Sequence, residues 1–337
     1  MELQLAIIFF LLATLTIAIF GTRLTRAADQ LADITGMGEA MFGAIFLGSI
    51  TSLPGIITSV VAASNNHPEL AISNAIGGIA AQTFFLSIAD ITYTRVNLEH
   101  AAASLTNLMQ GALLMCLLAI LIMGAFGPEI SWFGVHPFSI IMVLVYIVGS
   151  RMISKAQVTP MWSPRITLQT VQDLPEEQNQ KLSLPKVVIK FSMYAILVAG
   201  AGYVVGWTGI QIAEQTALSD GFVGTLLTAV ATSLPELIVS IAAVRQGALT
   251  LAVGNIIGGN SFDILFVSVS DFAYTPGSIL HAVTQAQFLT IGSTMLMTGI
   301  LILGLLHREK HGFGKIGWES LMIIIVYVLS NLFLVLN

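Results

Sequence analysis

Ten apolar runs, each long enough to cross a bilayer, dominate this chain of 337 residues. A membrane helix needs roughly 20 consecutive apolar residues. Such runs fall near 3–21, 37–64, 68–92, 104–126, 136–151, 187–208, 217–244, 249–274, 284–306 and 315–336. Only 9% of the residues are charged and the mean hydropathy is +0.88, whereas a soluble domain carries roughly 25% charge. The predicted fold class is an all-α polytopic membrane protein of ten transmembrane helices. The first run resembles a signal peptide in length but lacks a basic n-region, so it is kept as a helix. Five runs precede one long polar stretch, 152–186, and five follow it. That stretch carries Pro160, Pro164, Pro175 and Glu176–Glu177 and reads as a cytoplasmic linker. The expected organisation is a first half, 1–151, the linker, 152–186, and a second half, 187–337.

Charge orients the helices, because Lys and Arg are kept out of translocated loops. With both termini outside, all 13 Lys and Arg fall on cytoplasmic loops or helix ends, from Arg23 and Arg26 through Arg95, Arg151–Lys190 and Arg245 to Arg308, Lys310 and Lys315. The external loops near 65–67, 127–135, 209–216 and 275–283 hold none. Five helices per half is an odd number, so the second half enters the membrane from the opposite side to the first.

The halves share more than helix count. Thr51-Ser52-Leu53-Pro54-Gly55 recurs as Thr232-Ser233-Leu234-Pro235-Glu236. Sliding the sequence by 181 positions makes 16 of 40 residues identical between 51–90 and 232–271, among them Asn74/Asn255, Gly77/Gly258, Gly78/Gly259 and Asp90/Asp271. The alignment reaches upstream as Glu39/Asp220 and Gly43/Gly224. The copies differ where charge matters: Glu236 faces Gly55 in the alignment, and Asp263 faces Gln82. Inverted repeats with interrupted helices characterise secondary transporters whose site lies at mid-membrane between the repeats.

The motif chemistry suits a cation. Proline in a membrane helix removes a backbone donor and displaces the carbonyl four residues back, here Ala231 for Pro235 and Ile50 for Pro54. A carbonyl freed in lipid needs a partner, and Thr232, Ser233 and Glu236 add oxygens at the same break. Asn255, Asn260 and Asp263 offer more on the following helix, where Gly258 and Gly259 permit close approach. An all-oxygen set with carboxylates fits hard cations such as Ca²⁺ or Na⁺. A charge at the membrane centre costs at least ~2.5–3.5 kcal/mol, which makes Glu236 and Asp263 functional candidates by default. The competing account is an acid kept neutral by hydrogen bonds between helices. Glu39, Asp90, Asp220, Asp271 and Glu319 lie nearer helix ends, where capping is the simpler role.

Other residue types carry less. His67, His100, His136, His281, His307 and His311 lack metal-ligand spacing and read as solvated. Cys116 reads as a small buried residue, and Trp132, Trp162, Trp207 and Trp318 as interface anchors. Ser233 has no membrane-embedded His or Lys as a base, so enzyme chemistry is not expected.

The paired Thr-Ser-Leu-Pro-Glu and Gly-Asn-Ile-Ile-Gly-Gly-Asn-Ser-Phe-Asp segments resemble the α-repeats of the cation/Ca²⁺ exchanger superfamily, most closely in the second copy. The resemblance implies ion binding between the second, third, seventh and eighth helices, with the first helix of each half sliding to alternate access. By position it implies ligands at Glu236, Ser233 and Asp263 with the Thr232 and Ala229 backbone oxygens, and at Ser52, Thr51, Gly48 and Gln82. Asn74 and Asn255 lie on the site-facing segments, and Gly78 and Gly259 would offer carbonyls alone. The family's first repeat carries a Glu where Gly55 stands here, leaving two mid-membrane carboxylates, still enough charge for one Ca²⁺.

The expected function is a secondary active antiporter of a prokaryotic inner membrane, exchanging Ca²⁺ for Na⁺ by alternating access without a cofactor. H⁺ coupling or a monovalent substrate on the same fold is the second reading, and a non-transporting, cation-binding membrane protein the third. Inorganic cations and lipid are the expected partners, and no nucleic acid. What faces Gly55 is the most informative observation: backbone carbonyls or water would complete a site there, and an apolar side chain would close it.

Overall fold

The computed structural model describes residues 1–35, 50–92, 97–132, 134–158, 160–165, 183–247, 249–309 and 317–336. It is all-helical. Helix α1 (Leu3–Thr16) passes through a π-helical turn (Ile17–Gly21) into α2 (Thr22–Thr35). Then come α3 (Leu53–Ser64), α4 (Pro68–Thr92), the short α5 (Leu98–Ala101), α6 (Leu105–Phe126) and α7 (Pro137–Val158). The later helices are α8 (Leu184–Gln215), α9 (Asp220–Phe222), a π-helical segment (Val223–Thr228), α10 (Ala229–Thr232), α11 (Leu234–Gln246), α12 (Leu249–Asp263) and α13 (Leu265–Ala273). A 3₁₀ turn (Ile279–Ala282), α14 (Gln285–His307) and α15 (Trp318–Leu336) complete the chain.

Among the described residues eight helices are long and apolar enough to span, and the bent pair Asp220–Thr232 and Leu234–Arg245 makes a ninth. The expected span 37–64 appears only as its later part, the short apolar helix Leu53–Ser64, because 36–49 lie outside the described residues. Two boundaries move: α7 runs on to Val158 and α8 starts at Leu184, so helix occupies both ends of the stretch read as linker.

Prolines explain where helices begin. Pro68 and Pro137 open α4 and α7, while Pro54, Pro185 and Pro235 sit in the first turns of α3, α8 and α11. Proline is tolerated there because that turn's N–H has no intrahelical partner. Pro235 thus starts a new helix rather than kinking a continuous one, and the chain bends by 47° between α10 and α11.

Burial sorts the helices into centre and rim. In α4, 78% of the spanning window is buried, and in Ala252–Ala273 72%; the windows of Leu3–Leu31 and Leu184–Gln215 reach only 22%. The rim helices present Leu11, Leu12, Ile196 and Leu332 outward, an apolar surface suited to acyl chains. Lipid supplies no hydrophobic drive between helices, so they associate through close packing at small residues. A β-carbon on Gly21 would lie 2.5 Å from Pro235, and one on Gly202 2.7 Å from the Pro54 carbonyl oxygen.

The repeat in sequence reappears in the hydrogen bonds. Asp90 Oδ1 accepts from Leu98 N and Asp271 Oδ1 from Ile279 N, both at 2.8 Å. The second oxygens accept from Gly317 N (3.1 Å) and His136 N (2.7 Å). Each correspondence spans the same 181 positions (271 − 90, 279 − 98, 317 − 136) that separate Gln82 and Asp263. These bonds support the capping role expected for Asp90 and Asp271.

Two expectations fail. His100 and His136 are buried, not solvated. The ring of His100 bonds the Arg308 carbonyl (2.6 Å) and that of His136 the Pro128 carbonyl (3.1 Å), because the loops they sit on fold back against the helix ends. Cys116 is exposed rather than buried; it lies on the outward face of α6 in a groove with Met109, Leu144 and Met152.

Candidate functional site

Both copies of the Thr-Ser-Leu-Pro motif interrupt a helix at the serine. Ser52 has φ −83°, ψ 0° and Ser233 φ −95°, ψ 3°, in the bridge region where helical hydrogen bonding is easily broken. Each serine carbonyl then caps the new helix, accepting from Ile56 N (3.0 Å) and Leu237 N (3.3 Å). Thr232 Oγ1 turns back onto the Thr228 (2.9 Å) and Ala229 (3.2 Å) carbonyls, and Ser233 N also donates to Ala229 O (3.1 Å). The oxygens at the break are therefore held locally while the serine side chains reach across to the other half.

That crossing pairs the repeats. Ser52 Oγ donates to Asp263 Oδ1, and Gln82 Nε2 donates to Asp263 Oδ2 at 2.6 Å and to Ser233 Oγ at 3.3 Å. Gln82 and Asp263 occupy equivalent positions in the two copies, so they meet where the copies face each other. A cavity of about 10 Å³, room for roughly one water molecule or one dehydrated ion, lies among Ser52, Asn74, Gln82, Thr232, Ser233, Glu236 and Asp263, with Gly55, Gly78 and Phe266 completing the wall. Gly78 borders it beside Ser233, where an added β-carbon would make an ordinary contact 3.5 Å from Ser233 Oγ.

Two oxygens in this wall have no hydrogen-bond partner: Glu236 Oε2 and Gln82 Oε1. Both are buried acceptors. A buried acceptor without a donor costs about 1–3 kcal/mol, and a cation or a proton relieves that cost where no amide or hydroxyl is in reach.

Eight of the thirteen residues singled out from sequence line this cavity: Ser52, Asn74, Gly78, Gln82, Thr232, Ser233, Glu236 and Asp263. Asn74 is nonetheless fully engaged by the protein. It donates to Gly55 O (3.1 Å) and Ser59 Oγ (2.9 Å) and accepts from Thr228 Oγ1 (2.8 Å). Thr51 is buried but does not line the cavity, the Ala229 carbonyl is taken up by the helix break, and Asn255 is only half-buried on α12. Gly259 approaches from the far side, where a β-carbon would lie 3.6 Å from Gln82 Oε1. Gly48 lies outside the described residues.

Sequence reasoning missed Phe266. A β-carbon added at Gly55 would stand 2.5 Å from its ring, so the space in front of Gly55 is filled by an apolar side chain. Phe266 is one of the identical positions of the repeat, matching Phe85, and nothing local marks it as different from packing.

The profile of the sodium/calcium exchanger protein family matches residues 5–152 and 186–336. The chain belongs to that family. Among its relatives, the inner membrane protein YrbG of Escherichia coli is 28% identical over 316 residues, covering 92% of this chain and 91% of YrbG. The fold is similar to that of the sodium-calcium exchanger NCX_Mj, soaked with Na⁺ and Sr²⁺ (TM-score 0.63, 19% identity, 98% of each chain). It also resembles the H⁺/Ca²⁺ exchanger CAX (TM-score 0.67, 14% identity, 98% of this chain and 86% of that one). Exchanger membership makes the chain a transporter of the cation/Ca²⁺ antiport class and not an enzyme.

Proposed function

We propose that this exchanger moves Ca²⁺ against Na⁺ by alternating access, with Glu236 and Asp263 as the ion-binding carboxylates. The observation that carries the reading is the small cavity that Glu236, Asp263 and Gln82 line together, with Glu236 Oε2 and Gln82 Oε1 left without hydrogen-bond partners. The two carboxylates can balance one Ca²⁺. Ser52 and Gln82 orient Asp263 through their hydrogen bonds, Ser233 Oγ in turn holds the Gln82 amide, and all three become additional oxygen ligands when an ion displaces these bonds. The two five-helix halves, 1–151 and 187–337, joined by the linker 152–186, would carry one copy of the motif each. Both termini would lie outside a prokaryotic inner membrane, as the distribution of Lys and Arg requires.

Reconstitution into proteoliposomes tests the assignment. An imposed Na⁺ gradient should drive Ca²⁺ uptake, and Glu236→Gln should abolish it. Absence of Na⁺-driven flux in the wild type refutes Na⁺ coupling, and unchanged flux in the variant refutes the site.

One observation favours a second reading, in which H⁺ replaces Na⁺ as the coupling ion. Phe266 closes the space before Gly55, and among the described residues the first half lines the cavity with no carboxylate, so few anionic oxygens remain to hold Na⁺ alongside Ca²⁺. A pH jump in Na⁺-free buffer that drives Ca²⁺ movement selects this reading over the first.

A further inference from the structure

Three carboxylates converge far from the cavity, where the end of α4 meets α5 and the start of α15. Asp90, Glu99 and Glu319 are all buried. A β-carbon on Gly317 would stand 3.0 Å from Glu99 Oε2, 3.3 Å from Asp90 Oδ2 and 3.4 Å from Glu319 Oε2. Three acidic oxygens from three helices therefore surround one point. Asp90 is satisfied by Leu98 N and Gly317 N, and Glu99 Oε1 accepts from Ser320 Oγ at 3.1 Å. Glu99 Oε2, buried and aimed at the same point, has no partner.

The molecule contains its own control. The matching corner in the other half is built on Asp271, 181 positions on, with the same backbone donors. There Leu280 stands in place of Glu99 and Phe138 in place of Glu319. Leu280 and Phe138 both pack against Gly124, as Glu99 and Glu319 both pack against Gly304. The corner thus folds with one aspartate and two apolar side chains. The two glutamates are additions that the architecture does not need, at a site where burial penalises each charge.

We propose that Asp90, Glu99 and Glu319 form a proton-binding site, with the proton carried on Glu99 Oε2 and shared with the two facing carboxylates. The O–H gives Glu99 Oε2, which no backbone or side-chain donor among the described residues reaches, a hydrogen bond to make. On release its O–H bond breaks, the electron pair stays on Glu99, and the proton passes to water. A metal ion does not suit this place. The shared point is the β-carbon position of Gly317, and no group of three or more acidic, His or Cys side chains among the described residues is arranged to hold one. Burial first, then the charge of Asp90, pushes the Glu99 carboxyl up to about 8, so the site changes occupancy just above neutral pH. The titratable groups beside it are Asp90 on α4 and Glu319 on α15, with His100 on α5 turned to the Arg308 carbonyl. Arg308, at the end of α14, is turned to the His100 and Arg165 carbonyls. Arg95, Lys310, His311 and Lys315 lie outside the described residues. Because the site joins segments from both halves of the chain, its proton governs how tightly they dock at the end assigned to the cytoplasm.

Difference infrared spectroscopy of the purified full-length protein in detergent tests this, with pH stepped from 6 to 10. The wild type should lose the C=O band of a protonated carboxyl with a midpoint near pH 8. That titration should vanish in Glu99→Gln and in Glu99→Leu, the latter copying the residue of the matching corner. It should persist in the Glu236→Gln/Asp263→Asn double variant, which leaves this corner intact. The proposal is overturned if the wild type shows no such titration, or if it survives both Glu99 substitutions. Its loss in the cavity double variant alone would assign the proton to the ion cavity and equally overturn it.

Discussion

Gly55 and Glu236 hold equivalent places in the two motif copies, and the residue facing each decides what it can do. Glu236 looks into a cavity with an unpartnered oxygen, whereas Gly55 looks at the Phe266 ring. We predict that Glu236→Gln lowers Ca²⁺ flux at least tenfold, the equivalent of about 1.4 kcal/mol, as read by isotope uptake in proteoliposomes. Gly55→Ala places a methyl where the ring already stands, and overpacking of this kind costs about 1–3 kcal/mol. A lowered melting temperature in detergent should report it, and in a Phe266→Ala background, where the ring is gone, the same Gly55→Ala change should lower the melting temperature less. An unshifted melting temperature in Gly55→Ala would mean the ring moves aside freely. Phe266 itself was invisible from the motif, because its burial against a glycine depends on a residue 211 positions away (266 − 55).

At the scale of elements, the outer helix of each half leans on the broken helix of the other: α8 on α3 at Gly202–Pro54, and the turn after α1 on α11 at Gly21–Pro235. Both are close approaches that only a glycine permits, since a β-carbon would lie 2.7 Å from Pro54 O at Gly202 and 2.5 Å from the Pro235 ring at Gly21. They differ in one bond. Thr58 Oγ1 donates to Gly202 O at 2.9 Å, while the residue matching Thr58 is Val239, which has no donor. We predict that Thr58→Val destabilises the chain by about 0.5–1.5 kcal/mol, measured as a shift in melting temperature. Gly202→Leu should do far more, because the Pro54 backbone it meets cannot turn away. If exchange in Gly202→Leu matches the wild type, the close approach plays no part in transport. The prolines that define α3 and α11 were legible in the sequence, but their position at helix starts was not. A motif shows which residue lacks an N–H, and only the packed chain shows on which side of it the helix resumes.

For the whole molecule, the Glu99 proton links stability to pH. Its folded value, about 8, lies above the ordinary 4.5, so the folded protein binds the proton more tightly than the unfolded chain does. The resulting stabilisation is complete below about pH 4.5 and is lost as pH rises through about 8. Melting temperature in detergent should therefore fall between pH 6 and 9 in the wild type and show a shallower dependence in Glu99→Gln. Equal slopes would remove Glu99 as the source.

The sequence by itself determined that this chain lies in a membrane, that it is built of helices and that it repeats. Those properties are local or periodic: apolar run length, proline and glycine placement, and a motif recurring at a constant offset. It also singled out Glu236 and Asp263, because acids inside apolar runs stand out wherever they fold, while Ser52 and Gln82 came from their places in the repeat and from the family resemblance. The tertiary structure alone decided that Gln82 and Asp263 bond to each other, that Phe266 occupies the space before Gly55, and that Glu99 and Glu319 meet Asp90. Each is a contact between segments distant in sequence, set by how close two helices approach and which side chain fills the gap. No composition or spacing within either segment encodes it.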